Sequence, residues 1–121
     1  MLPAAYDFKL YRGDTLRRVI RLRNVLEDGS LGDYADLTGC TPLAQVRTTT
    51  GAPEVIATFT TSILDQTTDK GAVQMLLTPE QTAVMPNSSR WDIQLTHPNG
   101  DVYTYLAGKV IAIGQISEGE T

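Results

Sequence analysis

Few side chains in this 121-residue sequence could perform covalent chemistry, since it contains one cysteine, Cys40, and one histidine, His97. A thiol and an imidazole within hydrogen-bond reach can act as nucleophile and base. Cys40 lies in LTGCTP, with no basic neighbour to stabilise a thiolate, and His97 opens the turn sequence HPNG. We therefore interpret Cys40 as a small buried residue at the start of a strand and His97 as a solvated turn residue.

The other motifs that carry chemistry are absent or incomplete. There is no Gly-x-Ser-x-Gly elbow and no glycine-rich phosphate loop ending in Gly-Lys-Ser/Thr. A single cysteine excludes an internal disulfide framework and a cysteine zinc cluster. Asp28, Asp33 and Asp36 leave a weak calcium site open, whereas the segment DQTTDKG at 65–71 lacks the spacing of a calcium loop. The sequence predicts no catalytic residue, no metal and no cofactor, and thus a protein that is not an enzyme.

Charge is unevenly distributed along the chain. The formal net charge is −4, yet residues 1–23 hold six basic and two acidic residues and the remainder is strongly acidic. An acidic chain argues against general nucleic-acid binding, and a basic segment suits an acidic partner or a neighbouring copy. Arg17, Arg21 and Arg23 of the basic segment are therefore candidate interface residues. The alternative is that these arginines only solvate a strand face.

Length and composition fit one domain over residues 1–121, since 41% of the residues are hydrophobic and 20% are charged. The apolar stretches are too short to span a bilayer, and no signal peptide is visible, so we expect no membrane association. A reducing assembly compartment suits the single cysteine. Residues 1–5 and 117–121 are expected to be mobile termini that order on docking.

Alternation of apolar and polar residues predicts about eight short strands separated by turn residues. In residues 15–23, Leu16, Ile20 and Leu22 fall on one side, while Arg18 interrupts that side and is expected near an edge. The tripeptide Arg12-Gly13-Asp14 is interpreted as a turn between strands. Thr78-Pro79-Glu80-Gln81 resembles a capping box that begins one helix over residues 79–85. The pattern predicts an all-β fold, an antiparallel immunoglobulin-like β-sandwich with one short helix.

The same alternation predicts which side chains form the core. The expected core residues are Leu16, Ile20, Leu22, Val46, Leu76, Trp91, Ile93 and Leu95. Tyr103 and Tyr105 share one face of their strand, so they are candidate interface residues, with ordinary half-burial as the alternative. Together with Trp91 they could form a sugar-binding platform, although the alternation of Trp91 with Ile93 favours the core.

The order of these signals is also informative. The segments are RGDT at 12–15, DLTGCT at 36–41, GAVQMLLTPEQT at 71–82, WDIQL at 91–95, PNGDV at 98–102 and LAGKV at 106–110. Over residues 6–116 this series resembles the small β-sandwich domain of tailed-phage and prophage structural proteins. It is similar to the N-terminal domain of the upper baseplate protein that attaches receptor-binding proteins in some lactococcal phages. Cys40 stands where that family usually has an aromatic residue, and Trp91 where tyrosine is common.

The resemblance implies a non-enzymatic virion protein, assembled in the host cytoplasm, that acts as an adaptor or attachment component of the tail, baseplate or neck. Its partners would be other virion structural proteins, contacted without nucleic acid or membrane. Because virions are rotationally symmetric, we expect a homo-oligomeric or ring arrangement in which the basic strand meets the acidic stretches 27–36 and 118–120 of a neighbour. The alternatives are a capsid decoration protein, a carbohydrate-binding module, and a hydrolase whose catalytic carboxylates the sequence does not identify.

Overall fold

The computed structural model describes residues 4–49 and 53–114, which form eleven strands and one short helix. The elements in chain order are β1 (Ala4–Ala5), β2 (Phe8–Tyr11), β3 (Leu16–Arg21), β4 (Arg23–Val25), β5 (Leu31–Tyr34), β6 (Thr41–Arg47), β7 (Val55–Thr58), β8 (Thr60–Ile63), β9 (Ala72–Leu77), α1 (Pro79–Ala83), β10 (Ser88–Thr96) and β11 (Val102–Ile113). The predicted all-β class with one helix is confirmed. The described strands outnumber the expected eight because some expected strands are broken in two and a further hairpin forms over residues 23–34.

The larger sheet has the strand order β1-β11-β10-β6-β7, and β2 pairs with β11 beyond β1. Its centre is the antiparallel hairpin of β10 and β11, whose turn is closed by hydrogen bonds between His97 and Asp101 and between Gly100 and His97. Gly100 has a φ of +94°, which favours glycine at that position of the turn. The predicted turn at HPNG is therefore confirmed, and its Asn-Gly pair is typical of a hairpin.

The sheets are mainly antiparallel, as expected, but two of the strand pairings are parallel. Both β1 and β2 run parallel to β11, and the chain crosses over Gly108 between them. A Cβ on Gly108 would overlap the carbonyl oxygen of Tyr6, so glycine is required for this close approach. Ala4–Ala5 form β1, and the rest of the termini that were expected to be mobile, residues 1–3 and 117–121, lies outside the described residues.

The smaller sheet has the order β3-β9-β8, so that β3 is one of its edges. Leu16 and Ile20 of β3 are buried, whereas Arg18 is exposed at the edge, as its interruption of the apolar side predicted. The chain passes from the larger to the smaller sheet at Phe59, the buried residue that links β7 to β8. A separate hairpin of β4 and β5 turns at Asp28-Gly29.

One hydrophobic core contains inward-facing residues of both sheets. The ring of Phe8 lies 4.7 Å from that of Trp91 and 5.5 Å from that of Phe59, measured between centroids. Every predicted core residue is buried except Leu76, which is half-buried. The prediction for Leu76 is wrong by one position, because the inward-facing residues of β9 are Val73, Met75 and Leu77.

The helix begins with the predicted capping box, in which the Thr78 hydroxyl accepts from the Gln81 amide and the Gln81 side chain accepts from the Thr78 amide. It ends at Ala83 instead of residue 85. The buried hydroxyl of Thr82 accepts from the Gly13 amide at 3.0 Å and donates to the Asp14 carbonyl at 2.8 Å. The Arg12-Gly13-Asp14 turn is thus attached to the helix and has a structural role.

Candidate interaction surface

The predicted basic strand forms an exposed edge of the smaller sheet. Alternation along β3 places Arg17 and Arg21 on its outer side together with Val19, and all three are exposed. The β4–β5 hairpin continues this area, because its register pairs Arg23 with Tyr34. We call Arg17, Val19, Arg21, Arg23 and Tyr34 the β3 surface.

Two of its arginines are held around an aromatic ring. The guanidinium carbons of Arg21 and Arg23 lie 5.4 and 5.8 Å from the ring centroid of Tyr34, which is cation–π geometry. Arg21 also forms an ion pair with Asp69 at 3.0 Å, and the Nε of Arg23 donates to the Gly32 carbonyl at 2.8 Å. Arg17, by contrast, has no side-chain partner among the described residues. The surface therefore contains two arginines held in fixed orientations, Arg21 and Arg23, and a third, Arg17, whose side chain is available to a ligand or partner.

Apolar groups lie between these charges. The side chain of Val19 is 53% exposed and that of Tyr34 is 43% exposed. Arginine and tyrosine are enriched at protein interfaces, and an edge strand presents backbone groups that can pair with another chain. The sequence analysis identified the three arginines but missed Tyr34, whose only signal was that it is an aromatic residue in a segment rich in glycine and aspartate.

The two candidate tyrosines of β11 do not form an exposed pair. Tyr103 is 44% exposed, whereas Tyr105 is only 6% exposed. The register of β10 and β11 shifts between Ile93 and Gln94, which leaves Tyr105 without a partner on β10. This bulge removes the simple alternation on which the shared-face prediction depended. Trp91 is buried as well, so the described residues contain no exposed platform of Trp91, Tyr103 and Tyr105.

The structure brings Cys40 and His97 together. The Sγ of Cys40 lies 3.5 Å from Nδ1 of His97, and Nε2 of the same ring lies 3.1 Å from the hydroxyl of Tyr105. The ring of Tyr103 stacks edge-on at 5.5 Å between centroids. His97 is half-buried, not solvated as the sequence suggested, because the pairing of Thr96 with Thr41 places the hairpin turn beside the start of β6.

The electrostatics of this cluster do not activate the thiol. Burial raises the pKa of Cys40, and the nearby carboxylate of Asp36 raises it further. Burial likewise raises the pKa of Tyr105, with Cys40 and Tyr103 adding to the effect. Because the thiolate is the nucleophilic form of cysteine, a raised pKa leaves little of it near neutral pH. The cluster is a short hydrogen-bonded chain of side chains with an unactivated thiol.

Two of the acidic residues considered for calcium, Asp28 and Asp36, form hydrogen bonds within local turns. The carboxylate of Asp28 accepts from the amide and hydroxyl of Ser30, and that of Asp36 accepts likewise from Thr38. These hydrogen bonds lower the pKa of both carboxyls. Within residues 4–49 and 53–114, no three histidine, cysteine or acidic side chains are grouped as metal ligands would be. No helix in the same part of the chain is long and apolar enough to cross a membrane.

Comparisons with known proteins assign no family to the chain. No family model matches the chain, and no curated protein matches it. Among solved structures, a family 123 glycoside hydrolase from Clostridium perfringens aligns with a TM-score of 0.42 and 12% identity. The alignment covers 95% of this chain but only 24% of that hydrolase. A likeness at this TM-score has no bearing on the activity of the chain.

Proposed function

We propose that the chain is a non-enzymatic structural protein of a tailed-phage virion, an adaptor of the tail, baseplate or neck that docks on acidic protein partners. The virion setting rests on the resemblance of residues 6–116 to phage β-sandwich domains. The docking mode rests on one observation, the β3 surface, where exposed arginines surround Val19 of an edge strand and Tyr34 of the adjoining β4–β5 hairpin.

The composition of the β3 surface suits a protein partner. Exposed ion pairs contribute only about 0–1 kcal/mol each, so the arginines would steer and orient the partner more than they would hold it. Affinity would come from covering Val19 and the ring of Tyr34, since buried aromatic and aliphatic groups carry most binding energy at interfaces. Arg17 would supply the charge that selects an acidic partner.

A second copy of the chain offers an acidic surface of this kind. Glu27, Asp28 and Asp33 are exposed on or beside the β4–β5 hairpin. Docking of this hairpin on the β3 surface of a neighbour would be head-to-tail and could close into a ring. The other acidic stretch considered for this contact, residues 118–120, lies outside the described residues.

The non-enzymatic part of the proposal is supported by the electrostatics of the cysteine–histidine pair. Cys40 and His97 lie within reach of each other, but the raised pKa of the thiol works against its use as a nucleophile. The carbohydrate-binding alternative required an exposed platform of Trp91, Tyr103 and Tyr105. Because Trp91 and Tyr105 are buried, the structure gives that alternative no specific support.

The proposal is tested by quantitative mass spectrometry of purified particles from the host that carries this gene. The chain should copurify with the particles through a density gradient, at a fixed ratio to the tail proteins. Tail-less heads from the same lysate are the matched sample, and enrichment there would indicate a capsid decoration protein. Absence of the chain from complete particles would overturn the virion assignment.

A further inference from the structure

Three cations lie in one row across the outer face of the larger sheet. In the strand register, Arg90 of β10 is directly opposite both Arg47 of β6 and Lys109 of β11. Directly opposed side chains on neighbouring strands lie about 5 Å apart at Cβ, and like charges in such positions destabilise a sheet. This row therefore has an electrostatic cost that an anion bound across it would offset.

The row lines a groove with a volume of about 740 Å³. Small residues, Ala5, Ala107 and Gly108, form part of its lining beside the cations. Grooves of roughly 300–1,000 Å³ are the usual size for small-molecule sites. The groove is thus large enough for a phosphate or carboxylate group together with the body of a small molecule.

Neighbouring groups hold parts of the row in place. The guanidinium of Arg47 donates to the Pro53 carbonyl and to Oε1 of Gln45, both at 3.1 Å. The carboxylate of Asp7, which also lines the groove, accepts from the backbone amide of Lys109 at 2.9 Å and holds this strand position while it keeps its negative charge. On one side of Arg90, the side chain of Arg47 is therefore held by hydrogen bonds. On the other side, the backbone of Lys109 is held by Asp7.

A second acid, Asp92, also lines the groove. Burial raises the pKa of its carboxyl, while the charge of Arg47 acts in the opposite direction. The side chain of Asp92 is exposed on the same face of the sheet, close enough to Arg47 for their charges to interact. Because the carboxylate of Asp92 repels anions, a variant without this charge should bind an anion more tightly.

We propose that the row of Arg47, Arg90 and Lys109 binds a small ligand through a phosphate or carboxylate group. Arginine matches such oxyanions with two parallel hydrogen bonds, and lysine adds a compact charge. The uncharged body of the ligand would lie along the small residues of the groove. This site is on a different sheet from the β3 surface, and its proposal does not depend on the virion assignment.

The test is a titration of the full chain, followed by amide NMR shifts, with inorganic phosphate and with citrate as probes and sodium chloride at matched ionic strength as reference. Both probes should give saturable shifts at Arg90 and Gly108 with a Kd of about 1 mM or tighter. Binding of only phosphate or only citrate would identify which oxyanion the site takes. No saturable shift with either probe would overturn the proposal.

Three variants separate a site from general charge attraction. Arg90→Gln should weaken binding about tenfold, the size of one charge-assisted hydrogen bond, and Asp92→Asn should tighten it about threefold by removing a repulsion. The matched control is Arg18→Gln, an equal loss of charge on the other sheet, which should leave the Kd unchanged. Equal weakening by Arg90→Gln and Arg18→Gln, or none by Arg90→Gln in a chain with unchanged circular dichroism, would contradict a specific site.

Discussion

Replacement of Trp91 by phenylalanine should destabilise the fold through two separable losses. The indole Nε1 donates to the carbonyl of Tyr6 at 2.7 Å, and the ring packs against Phe8 and Phe59. Removing the donor costs about 1 kcal/mol, the net value of an internal hydrogen bond. The smaller ring leaves part of a nearly closed site empty, which adds about 1 kcal/mol, since a full truncation of Trp costs about 3–5 kcal/mol.

We therefore expect Trp91→Phe to lower the free energy of unfolding by about 2 kcal/mol, and Trp91→Ala to lower it by about 4 kcal/mol. For a domain of this size, 1 kcal/mol shifts Tm by about 4 °C, so the first variant should melt about 8 °C lower. Tyr103→Phe is the control, because it removes a hydroxyl from an exposed ring and should change stability by less than about 0.5 kcal/mol.

The assay is urea unfolding followed by circular dichroism, because Trp91 is the only tryptophan and its variants lose the fluorescence signal. The slope of the transition should stay the same, so that the midpoint reports stability alone. If Trp91→Phe were as stable as the parent chain, the indole hydrogen bond and the packing of the aromatic cluster would not contribute as argued.

Three further substitutions or reactions test other parts of the structure. The buried hydroxyl of Ser89 has no hydrogen-bond partner among the described residues, so Ser89→Ala should raise the free energy of unfolding by about 1 kcal/mol in the same urea assay. Gly108→Ala should destabilise by about 2 kcal/mol or more, since the new methyl group would overlap the Tyr6 carbonyl, while Gly114→Ala meets open space and should be tolerated. Iodoacetamide should alkylate Cys40 slowly at pH 7 and faster as the pH rises through its raised pKa, and Asp36→Asn should speed the reaction; a rate at pH 7 equal to that of the denatured chain would be inconsistent with the raised pKa.

Local signals in the sequence were sufficient for much of the fold. Alternation identified Leu16, Ile20 and Leu22 as one buried side, because successive side chains of a strand point to opposite faces. The capping box at Thr78 and the Asn-Gly turn before β11 depend on neighbouring residues only, so they were also predictable. Among the candidate interface residues, Arg17 and Arg21 are exposed on the outer side of β3 for the same local reason, and Arg23 is exposed in the adjoining hairpin.

Features that depend on long-range register could not be read from the sequence. The parallel pairing of β1 and β2 with β11 joins the two ends of the described chain, and no local pattern specifies it. Burial of Tyr105 follows from a bulge, which shifts the alternation by one residue. The approach of Cys40 to His97 depends on which strands are neighbours, as does the row formed by Arg47, Arg90 and Lys109.

The docking role of the β3 surface is tested most directly by charge reversal in assembling particles. Arg17→Glu/Arg21→Glu should strongly reduce incorporation of the chain into particles, and raising the salt concentration during assembly should reduce incorporation of the parent chain, because exposed charges are screened within about 8 Å at physiological salt. Lys9→Glu, which reverses an exposed charge on the other sheet, is the control and should be incorporated normally. If the double variant remains folded by circular dichroism and is incorporated as well as the parent chain at every salt concentration, docking through the β3 surface is wrong.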